Sequence, residues 1–356
     1  MKTTIDYTRD AIQLLKELIS IPSYSREEDG TASAIQAFLT SEKVPVQRAG
    51  NNVYLINAHY DERKPSILLN SHHDTVKPNA GWTRNPHEPV IEGDKLYGLG
   101  SNDAGGCLVS LIVTFLHFYH RIDLPYNLIL AATAEEEISG PNGIASLLPR
   151  LGPISFGIIG EPTQMHLAVA EKGLMVMDCT AFGESGHAAR EEGVNAIYKA
   201  MTDIEWFQNY AFPEVSPLLG PVKMSVTQIE AGTQHNVVPD RCKFVVDVRT
   251  NECYSNQEAF EIIDQHTECE VKPRSFRLNS SRIALDHPIV KRGLELGRQT
   301  YGSPTLSDQA LINAPTVKIG PGDSARSHTA DEYIHLSEIE EGIKLYVKLL
   351  DRLIIG

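Results

Sequence analysis

Short apolar runs alternate with longer helical patterns along the first half of the chain. Each run is rich in apolar and β-branched side chains and ends at a polar or glycine residue. Residues 105–119 are apolar on nearly every face, which predicts a helix buried against a sheet. This alternation is typical of an α/β protein with a mostly parallel sheet flanked by helices. The predicted strands are residues 53–57, 66–70, 127–133 and 155–160.

The pattern changes after about Gly173 and changes back after Ser281. Between these points, strand-like and helical patterns follow one another in the order β-α-β-β-α-β, which is typical of a ferredoxin-like α+β sandwich. Because insertions are tolerated at surface loops, we predict one domain from residues 1–170 and 281–356 and an inserted domain from residues 171–280. In the inserted domain, the strand-like runs are residues 174–182, 222–230 and 243–249 and a run around Val271, and the helical patterns are residues 194–210 and 256–266. After the insertion, helices are predicted near residues 288–300 and 336–353, with a strand at 316–320.

Composition and charge narrow the class of protein. The chain has 356 residues, enough for two domains at about 150 residues each, and its net charge is −14. This charge argues against nucleic acid or an anionic membrane as the partner and favours a small-molecule substrate. The five cysteines are scattered without a CxxC pair, which predicts a reduced, cytoplasmic protein. We predict no signal peptide and no membrane segment, because the longest apolar stretch, residues 108–116, is less than half a membrane span.

Histidine and carboxylate residues cluster directly after predicted strands. In an open α/β sheet, the loops beyond the carboxyl ends of the strands converge on one crevice, so residues remote in sequence can meet there. The sequence therefore predicts a site at this edge of the sheet. The clusters are His72-His73-Asp74, Glu135-Glu136-Glu137, Glu161, and the glycine-rich loop with Asp323 and His328.

Carboxylates gathered in such a crevice repel one another unless cations neutralise them, so a metal site is implied. Imidazole and carboxylate donors without thiolate suit zinc, cobalt or manganese better than calcium. Asp74 lies two residues beyond His72, where it is well placed to hold the other nitrogen of a ligating imidazole.

Five segments, taken in order, resemble the M20 metallopeptidase and amidohydrolase family over nearly the whole chain. That family includes acetylornithine deacetylase, succinyl-diaminopimelate desuccinylase and carboxypeptidase G. The resemblance to acetylornithine deacetylase and succinyl-diaminopimelate desuccinylase implies a zinc-peptidase-like catalytic domain and an inserted dimerisation or lid domain. The segments are Ser-His-His-Asp-Thr-Val from Ser71, Tyr-Gly-Leu-Gly-Ser-Asn-Asp-Ala-Gly-Gly from Tyr97, Thr-Ala-Glu-Glu-Glu from Thr133, Ile-Gly-Glu-Pro-Thr from Ile159, and Gly-Pro-Gly-Asp-Ser-Ala-Arg-Ser-His-Thr-Ala-Asp-Glu-Tyr from Gly320.

The resemblance implies two zinc ions bridged by one carboxylate, with cobalt or manganese as other ions that suit the same donors. Asp103 would be the bridge. A bridging carboxylate keeps two cations within the ~3.5–4 Å that two-metal hydrolases use. The other ligands would be His72 and Glu161 on one ion and Glu137 and His328 on the second.

The resemblance also assigns Glu136 as the general base, and it implies that Asp74 orients His72. A base beside the attacking water takes its proton and passes it to the leaving amine. The family more often has aspartate at the position of Glu135, which we interpret as a surface residue or a neighbour of the ligands. A shift of one residue along the Glu triplet would exchange base and ligand, so both assignments stay open at this point.

Three residues of the inserted domain resemble substrate-side positions of the family. His187, in Gly-Glu-Ser-Gly-His-Ala-Ala, would reach the active site, often that of the partner subunit, and stabilise the tetrahedral oxyanion. Asn236, in His-Asn-Val-Val-Pro, would lie near the bound substrate. Arg249 would clamp a substrate carboxylate, for which a bidentate guanidinium is suited. Ser307-Asp308 and the backbone of residues 320–322 match substrate-side segments more loosely.

The resemblance implies a homodimeric, two-metal deacylase of N-acyl amino acids. N-acetylornithine, in arginine biosynthesis, is the substrate that the Gly-Pro-Gly-Asp loop and the His-Thr-Ala-Asp-Glu-Tyr ending favour. A deacylase of acetylcitrulline or of a succinylated amino acid would carry the same metal ligands. A dipeptidase or aminopeptidase is a second interpretation, and a non-catalytic dimer that keeps the fold as a binding module is a third. Glu136 argues against the third, because metal binding alone requires no base beside the ligands.

Overall fold

The computed structural model describes residues 4–190, 192–351 and 353–354. The chain divides into two units. The first contains the described residues up to Val169, residues 283–301 and the described residues from Ser307 onward, and the second contains residues 170–282 and 302–306.

Helices begin where the sequence supplies caps or where apolar faces are buried. The side chain of Asn195 accepts a hydrogen bond from the N–H of Ile197 at the start of α5, and Ser255 and Glu258 form a capping box at the start of α6. The helices are α1 (Thr4–Ile19), α2 (Asp29–Ser41), α3 (Gly106–Phe118), α4 (Ile144–Leu151), α5 (Ala196–Asn209), α6 (Asn256–His266), α7 (Pro288–Glu295) and α8 (Leu336–Leu350).

Strands fall into the sheets of each unit. They are β1 (Gln47–Ala49), β2 (Asn52–Ile56), β3 (Ser66–His72), β4 (Val90–Glu92), β5 (Lys95–Tyr97), β6 (Asn127–Thr133), β7 (Phe156–Ile159), β8 (Leu167–Glu171), β9 (Met175–Phe182), β10 (Gly186–His187), β11 (Lys223–Ala231), β12 (Val237–Val238), β13 (Arg241–Arg249), β14 (Glu270–Pro273), β15 (Ser281–Arg282), β16 (Thr300–Ser303), β17 (Thr316–Lys318) and β18 (Tyr333–His335).

The first unit is built on a mixed sheet with the strand order β1-β2-β6-β3-β7-β17-β8. Its centre is parallel: β3 pairs in parallel with β6 and β7, and β17 pairs in parallel with β7. Every residue of β3 and β6 is buried. Helix α3, buried at every position except His117, packs against β3 and between α1 and α8. The predicted α/β fold with a mostly parallel central sheet and flanking helices is confirmed.

The second unit has an antiparallel sheet with the strand order β11-β13-β9-β14, and α5 packs against β9, β11 and β13. Alternate residues of β9 are buried, as expected of a sheet with one face on a core. That core includes Met175, Met177, Phe207 and Phe244. The longer elements of this unit, β9-α5-β11-β13-α6-β14, run in the order β-α-β-β-α-β, and the two-residue strands β10 and β12, which pair with each other, lie between them.

One predicted helix is shorter in the structure. The pattern predicts a helix over residues 288–300, but α7 ends at Glu295 and is followed by strand β16. Gly297 has a φ of +78°, and this left-handed backbone stops the helix. Within the described part of the chain, no helix combines the length and the apolar character needed to cross a lipid bilayer.

Shortening one buried side chain of α3 tests the packing of this helix against the sheet. Leu111 is fully buried, so we expect Leu111→Ala to lower the free energy of unfolding by about 2–5 kcal/mol through the lost apolar contacts and the cavity left behind. The matched control is Ile122→Ala, because Ile122 is 75% exposed, and we expect a change within about 0.5 kcal/mol. Urea denaturation followed by circular dichroism measures both. Equal losses in the two variants would contradict the packing described here.

Candidate metal centre

The candidate ligands of the first unit meet at the carboxyl ends of its central strands. His72 is the last residue of β3, Glu136 and Glu137 follow β6, and Glu161 follows β7. Asp103 reaches the same place from the turn that precedes α3. Because β3, β6 and β7 are parallel neighbours, residues far apart in sequence lie side by side here.

Two histidines lie on either side of Asp103. His72 Nε2 lies 3.4 Å from Asp103 Oδ1 and 3.6 Å from Glu161 Oε1. His328 Nε2 lies 3.7 Å from Asp103 Oδ2 and 3.0 Å from Glu137 Oε2. The two carboxylate oxygens of Asp103 therefore face different histidines, which is the arrangement that a bridging carboxylate requires.

Donor atoms of two trios lie close enough to share an ion. The trio of His72, Asp103 and Glu137 and the trio of His72, Glu136 and Glu161 each place their donor atoms within 4.8 Å of one another. Glu136 Oε2 lies 4.0 Å from His72 Nε2, so Glu136 borders the ligands closely. The division of base and ligand roles along the Glu triplet stays a prediction. Nitrogen and carboxylate donors at these distances fit a divalent transition metal.

The electrostatics of the site favour a cation. Burial and the neighbouring carboxylates, opposed by the charge of His72, together raise the pKa of Glu161 to about 8 and that of Glu136 well above its ordinary value. Burial opposes protonation of His72, but the charge of Glu136 and the hydrogen bond to Asp103 outweigh it and raise the pKa of His72 well above 6.5. The hydrogen bond from His328 to Glu137 raises the pKa of His328 to about 9. Raised pKa values of this kind are expected where a nearby cation would stabilise the ionised carboxylates.

Asp74 positions three of these groups. Its backbone carbonyl accepts a hydrogen bond at 2.9 Å from His72 Nδ1, which leaves His72 Nε2 directed at the carboxylates. Its carboxylate Oδ1 lies farther from this nitrogen, at 3.5 Å. The carboxylate instead accepts the backbone N–H groups of Glu136 at 3.0 Å and Glu137 at 3.2 Å. Asp74 therefore holds the His72 ring through its backbone and the Glu triplet through its side chain.

Glu135 occupies the left-handed region, with a φ of +56°. Its buried carboxylate accepts hydrogen bonds from the backbone and side-chain nitrogens of Asn142, at 3.1 and 2.8 Å. Its own N–H is directed to the carboxylate of Glu28 at 3.2 Å. Glu135 is thus a neighbour of the ligands that fixes the turn from which Glu136 and Glu137 project.

The turn that carries Asp103 is tightly packed. Gly100 has a φ of +74°, and a Cβ at Gly105 would collide with the carbonyl of Gly100 and the side chain of Leu15. These contacts explain why glycines stand on both sides of Asp103. The peptide bond between Asp103 and Ala104 is cis.

Two further buried carboxylates lie near the site, one on Asp308 of the loosely matched Ser307-Asp308 segment and one on Glu332, to which the sequence assigned no role. Asp308 accepts hydrogen bonds from Asn70 Nδ2 at 2.9 Å and Thr133 Oγ1 at 2.8 Å. Burial raises the pKa of Asp308 to about 6. The negative charge of Asp308 contributes to the raised pKa of Glu136. Glu332 accepts backbone N–H groups of the turn around Asp103. Each lies within a segment that matches the family pattern, but neither follows a predicted strand directly.

The remaining predicted site residues belong to the second unit. His187 lies in β10, which pairs with β12, and its Nδ1 accepts the N–H of Ala189 at 3.1 Å. Asn236 lies beside it, because the carbonyl of Asn236 accepts the N–H of Ala188 at 3.0 Å. Arg249 ends β13 and forms a two-pronged ion pair with Asp247, at 2.8 and 3.1 Å. Their roles toward a substrate stay predictions.

Paired histidine and carboxylate clusters at the carboxyl end of a mixed α/β sheet are the donor arrangement of a metal-binding site. The chain belongs to Peptidase family M20/M25/M40, whose model matches residues 68–352. The members of this family are hydrolases that act on amide bonds, and the chain is one of them.

Curated relatives match the chain along nearly its whole length at low identity. A peptidase M20 domain-containing protein of Schizosaccharomyces pombe is 28% identical, over 95% of this chain and 84% of the relative. Acetylornithine deacetylase of Proteus mirabilis is 26% identical, over 96% of both chains. Succinyl-diaminopimelate desuccinylase 2 of Ruegeria is 21% identical, over 96% of this chain and 94% of the relative.

Solved structures support the fold. Aminopeptidase PepT from Bacillus cereus superposes with a TM-score of 0.77 at 18% identity, covering 97% of this chain and 98% of the other. The Bacillus subtilis YXEP protein, described as a dinuclear metal-binding peptidase of the M20 family, has a TM-score of 0.75 at 17% identity and covers 97% of each chain.

Removal of the central carboxylate tests the metal centre. Because Asp103 faces both histidines, we expect Asp103→Asn to abolish tight binding of both ions, whereas His328→Ala retains one. Bound metal is measured by inductively coupled plasma mass spectrometry and isothermal titration calorimetry with Zn²⁺. The control is Glu92→Gln, an exposed carboxylate on β4, which leaves two ions per chain. Full metal content in Asp103→Asn would contradict the bridging role.

Proposed function

We propose that this protein is a two-metal amidohydrolase that removes an acyl group, acetyl above all, from the α-amino nitrogen of an amino acid such as N-acetylornithine. Such a reaction would serve arginine biosynthesis. The observation that carries the proposal is the placement of Asp103 between His72 and His328, with Glu136 beside them. The similarity to acetylornithine deacetylase over 96% of both chains supports the choice of substrate.

Two zinc ions would be held by residues that the first unit already brings together. Asp103 would be a ligand of both ions, and cobalt or manganese would suit the same donors. When bound, the cations supply positive charge that polarises the substrate carbonyl and lowers the pKa of a water molecule. The other ligands would be His72 and Glu161 for one ion and Glu137 and His328 for the second.

Glu136 would be the general base. It would accept the proton of the attacking water and deliver it to the nitrogen of the leaving amine, so that the amino acid departs as a neutral amine. Burial and the neighbouring carboxylates raise its pKa, which suits a group that must hold a proton between the two steps. Asp74 would keep Glu136 in place through the backbone N–H bond.

Residues of the second unit would handle the substrate. His187, an exposed side chain of β10, would donate a hydrogen bond to the oxyanion of the tetrahedral intermediate. Asn236 would contact the substrate, and Arg249 would bind its α-carboxylate after exchanging its partner Asp247 for the ligand.

A homodimer would complete the site, with the second unit as the dimerisation or lid domain. Tyr198 and Met201 on α5 and Ile229 on the edge strand β11 are 70%, 58% and 59% exposed, and α5 packs beside β11. An exposed edge strand next to exposed apolar side chains is suited to pairing with a second copy. The cysteines are unpaired, which is consistent with a cytoplasmic location.

A turnover panel tests the reaction class. We expect the metal-loaded protein to release acetate from N-acetylornithine faster than it cleaves N-acetylcitrulline, N-succinyl amino acids or dipeptides, as measured by amine release with ninhydrin. Glu136→Gln is the matched control, with its metal content quantified on the same sample. A base of this kind contributes about 10²–10⁴-fold, so we expect kcat to fall by that factor with the metal retained.

Other outcomes of the panel would change the assigned reaction, the acyl group or the base. Preferred cleavage of dipeptides would replace the deacylase by a dipeptidase or aminopeptidase. Preferred release of succinate would replace the acyl group. Unchanged turnover in metal-replete Glu136→Gln would refute the base assignment.

Subunit mixing tests the role of His187. Loss of an oxyanion donor costs about 10²–10³-fold in kcat, so His187→Ala and Glu136→Gln should each be nearly inactive. If His187 acts in the site of the partner subunit, mixed dimers regain activity, because one of their two sites then contains neither substitution. Mixing after subunit exchange, with kcat as the readout, checks this. Activity that stays at the level of the separate variants would exclude the exchange between subunits.

A further inference from the structure

Glu332 directs a buried carboxylate at the backbone of the turn that carries Asp103. The residue is 2% exposed and directly precedes β18. Its Oε1 accepts the N–H groups of Asn102 at 2.7 Å and Asp103 at 2.9 Å, and its Oε2 accepts the N–H of Gly100 at 3.1 Å. One side chain thus binds three backbone donors within a four-residue stretch.

The turn needs such a partner because it is not a regular helix. Asp103 has φ −117° and ψ 98°, so the N–H groups before it do not enter the hydrogen-bond ladder of α3. Buried N–H groups without acceptors are costly, and a carboxylate is a strong acceptor for them. The side chain of Asn102 fixes the other side of the turn, because it bonds both the N–H and the carbonyl of Asp323, each at 3.0 Å.

The direction of the Asp103 side chain follows from this backbone. Its two oxygens lie 3.4 Å from His72 Nε2 and 3.7 Å from His328 Nε2, and a rotation of the turn would lengthen one distance as it shortened the other. Glu332 therefore accepts the N–H of the same residue, Asp103, whose side-chain oxygens would bridge the cations.

We propose that Glu332 is the positioning residue for the bridging carboxylate, which fixes Asp103 between the two metal sites before metal binds. This inference rests on the proposed two-metal function and deepens it. Groups that orient metal ligands typically change metal affinity or activity by about 10- to 100-fold when they are altered.

Metal titration of Glu332→Gln tests the proposal without any substrate. Glutamine has the same shape, but its amide nitrogen would face a backbone N–H and cannot accept from it. We expect Zn²⁺ affinity at the weaker site to fall by about 10- to 100-fold in calorimetry, and the visible absorption of the Co²⁺ form to change with the altered coordination. The metal-free variant should keep the circular dichroism spectrum of the wild type.

Asp331→Asn is the matched control on the adjacent residue. The Asp331 carboxylate also accepts backbone N–H groups, those of Thr83 and Arg84, both at 3.0 Å, but on a loop that holds no candidate ligand. Asparagine tolerates the left-handed backbone of this position, where φ is +52°. We expect wild-type Zn²⁺ affinity and an unchanged Co²⁺ spectrum.

The outcomes separate this proposal from the proposed function. Wild-type affinity and an unchanged Co²⁺ spectrum in Glu332→Gln, even with a lower melting temperature, would overturn the positioning role and leave the hydrolase intact. A wild-type protein that binds two ions but hydrolyses no amide would overturn the function and leave the positioning role standing.

A measurement on the wild type covers the case in which Glu332→Gln does not fold. Hydrogen exchange of the metal-free protein, followed by mass spectrometry or NMR, should show protected amides at Gly100, Asn102 and Asp103, because Glu332 holds them without metal. Rapid exchange at these amides in otherwise folded protein would refute the proposal.

Discussion

Mutual repulsion among buried carboxylates is the constraint on which the rest of the first unit depends. Asp103, Glu136, Glu137 and Glu161 share one end of the sheet, and all four are mostly buried. Neighbouring negative charges that are shielded from water repel one another, and the repulsion is relieved when the carboxylates move apart or take up protons. The backbone around them is correspondingly well anchored: Asp74 holds two N–H groups of the Glu triplet, and Glu332 holds three around Asp103. The fold therefore holds together acids that would separate if they were free to move.

Much of the fold was predictable because long apolar patterns decide it. The predicted strand at residues 127–133 matches β6, and the predicted buried helix at residues 105–119 matches α3 within a residue at each end. Several short elements were not predicted. Strand β8, Leu-Ala-Val-Ala-Glu, carries two alanines, which are poor strand formers, and α4 contains Pro149. The position of these elements depends on tertiary packing that a local pattern does not contain.

In the candidate site, too, some residues were predictable from local sequence and others depend on tertiary contacts. Residues that follow strands, such as His72 and Glu161, were predictable because parallel strands end at a common edge. The role of Glu332 was not, because its partners lie 229–232 residues away along the chain and are backbone atoms. The contact between Asp308 and Asn70 spans 238 residues in the same way. For Asp74, the spacing predicted proximity to His72, but which oxygen accepts from the ring depends on the backbone conformation.

The turn from Glu135 to Glu137 has a consequence for how this enzyme can be diversified. In the proposed function, Glu136 and Glu137 of this turn would supply the base and a metal ligand, and the carboxylate of Asp74 accepts hydrogen bonds from the backbone N–H groups of both. A substitution that shifts the backbone of Glu136 therefore also shifts Glu137, because both N–H groups donate to Asp74. If those roles hold, exchanging side chains in this turn would change the position of the base and the coordination geometry together. Changes in substrate preference would then be sought among the residues of the second unit that the proposed function places at the substrate.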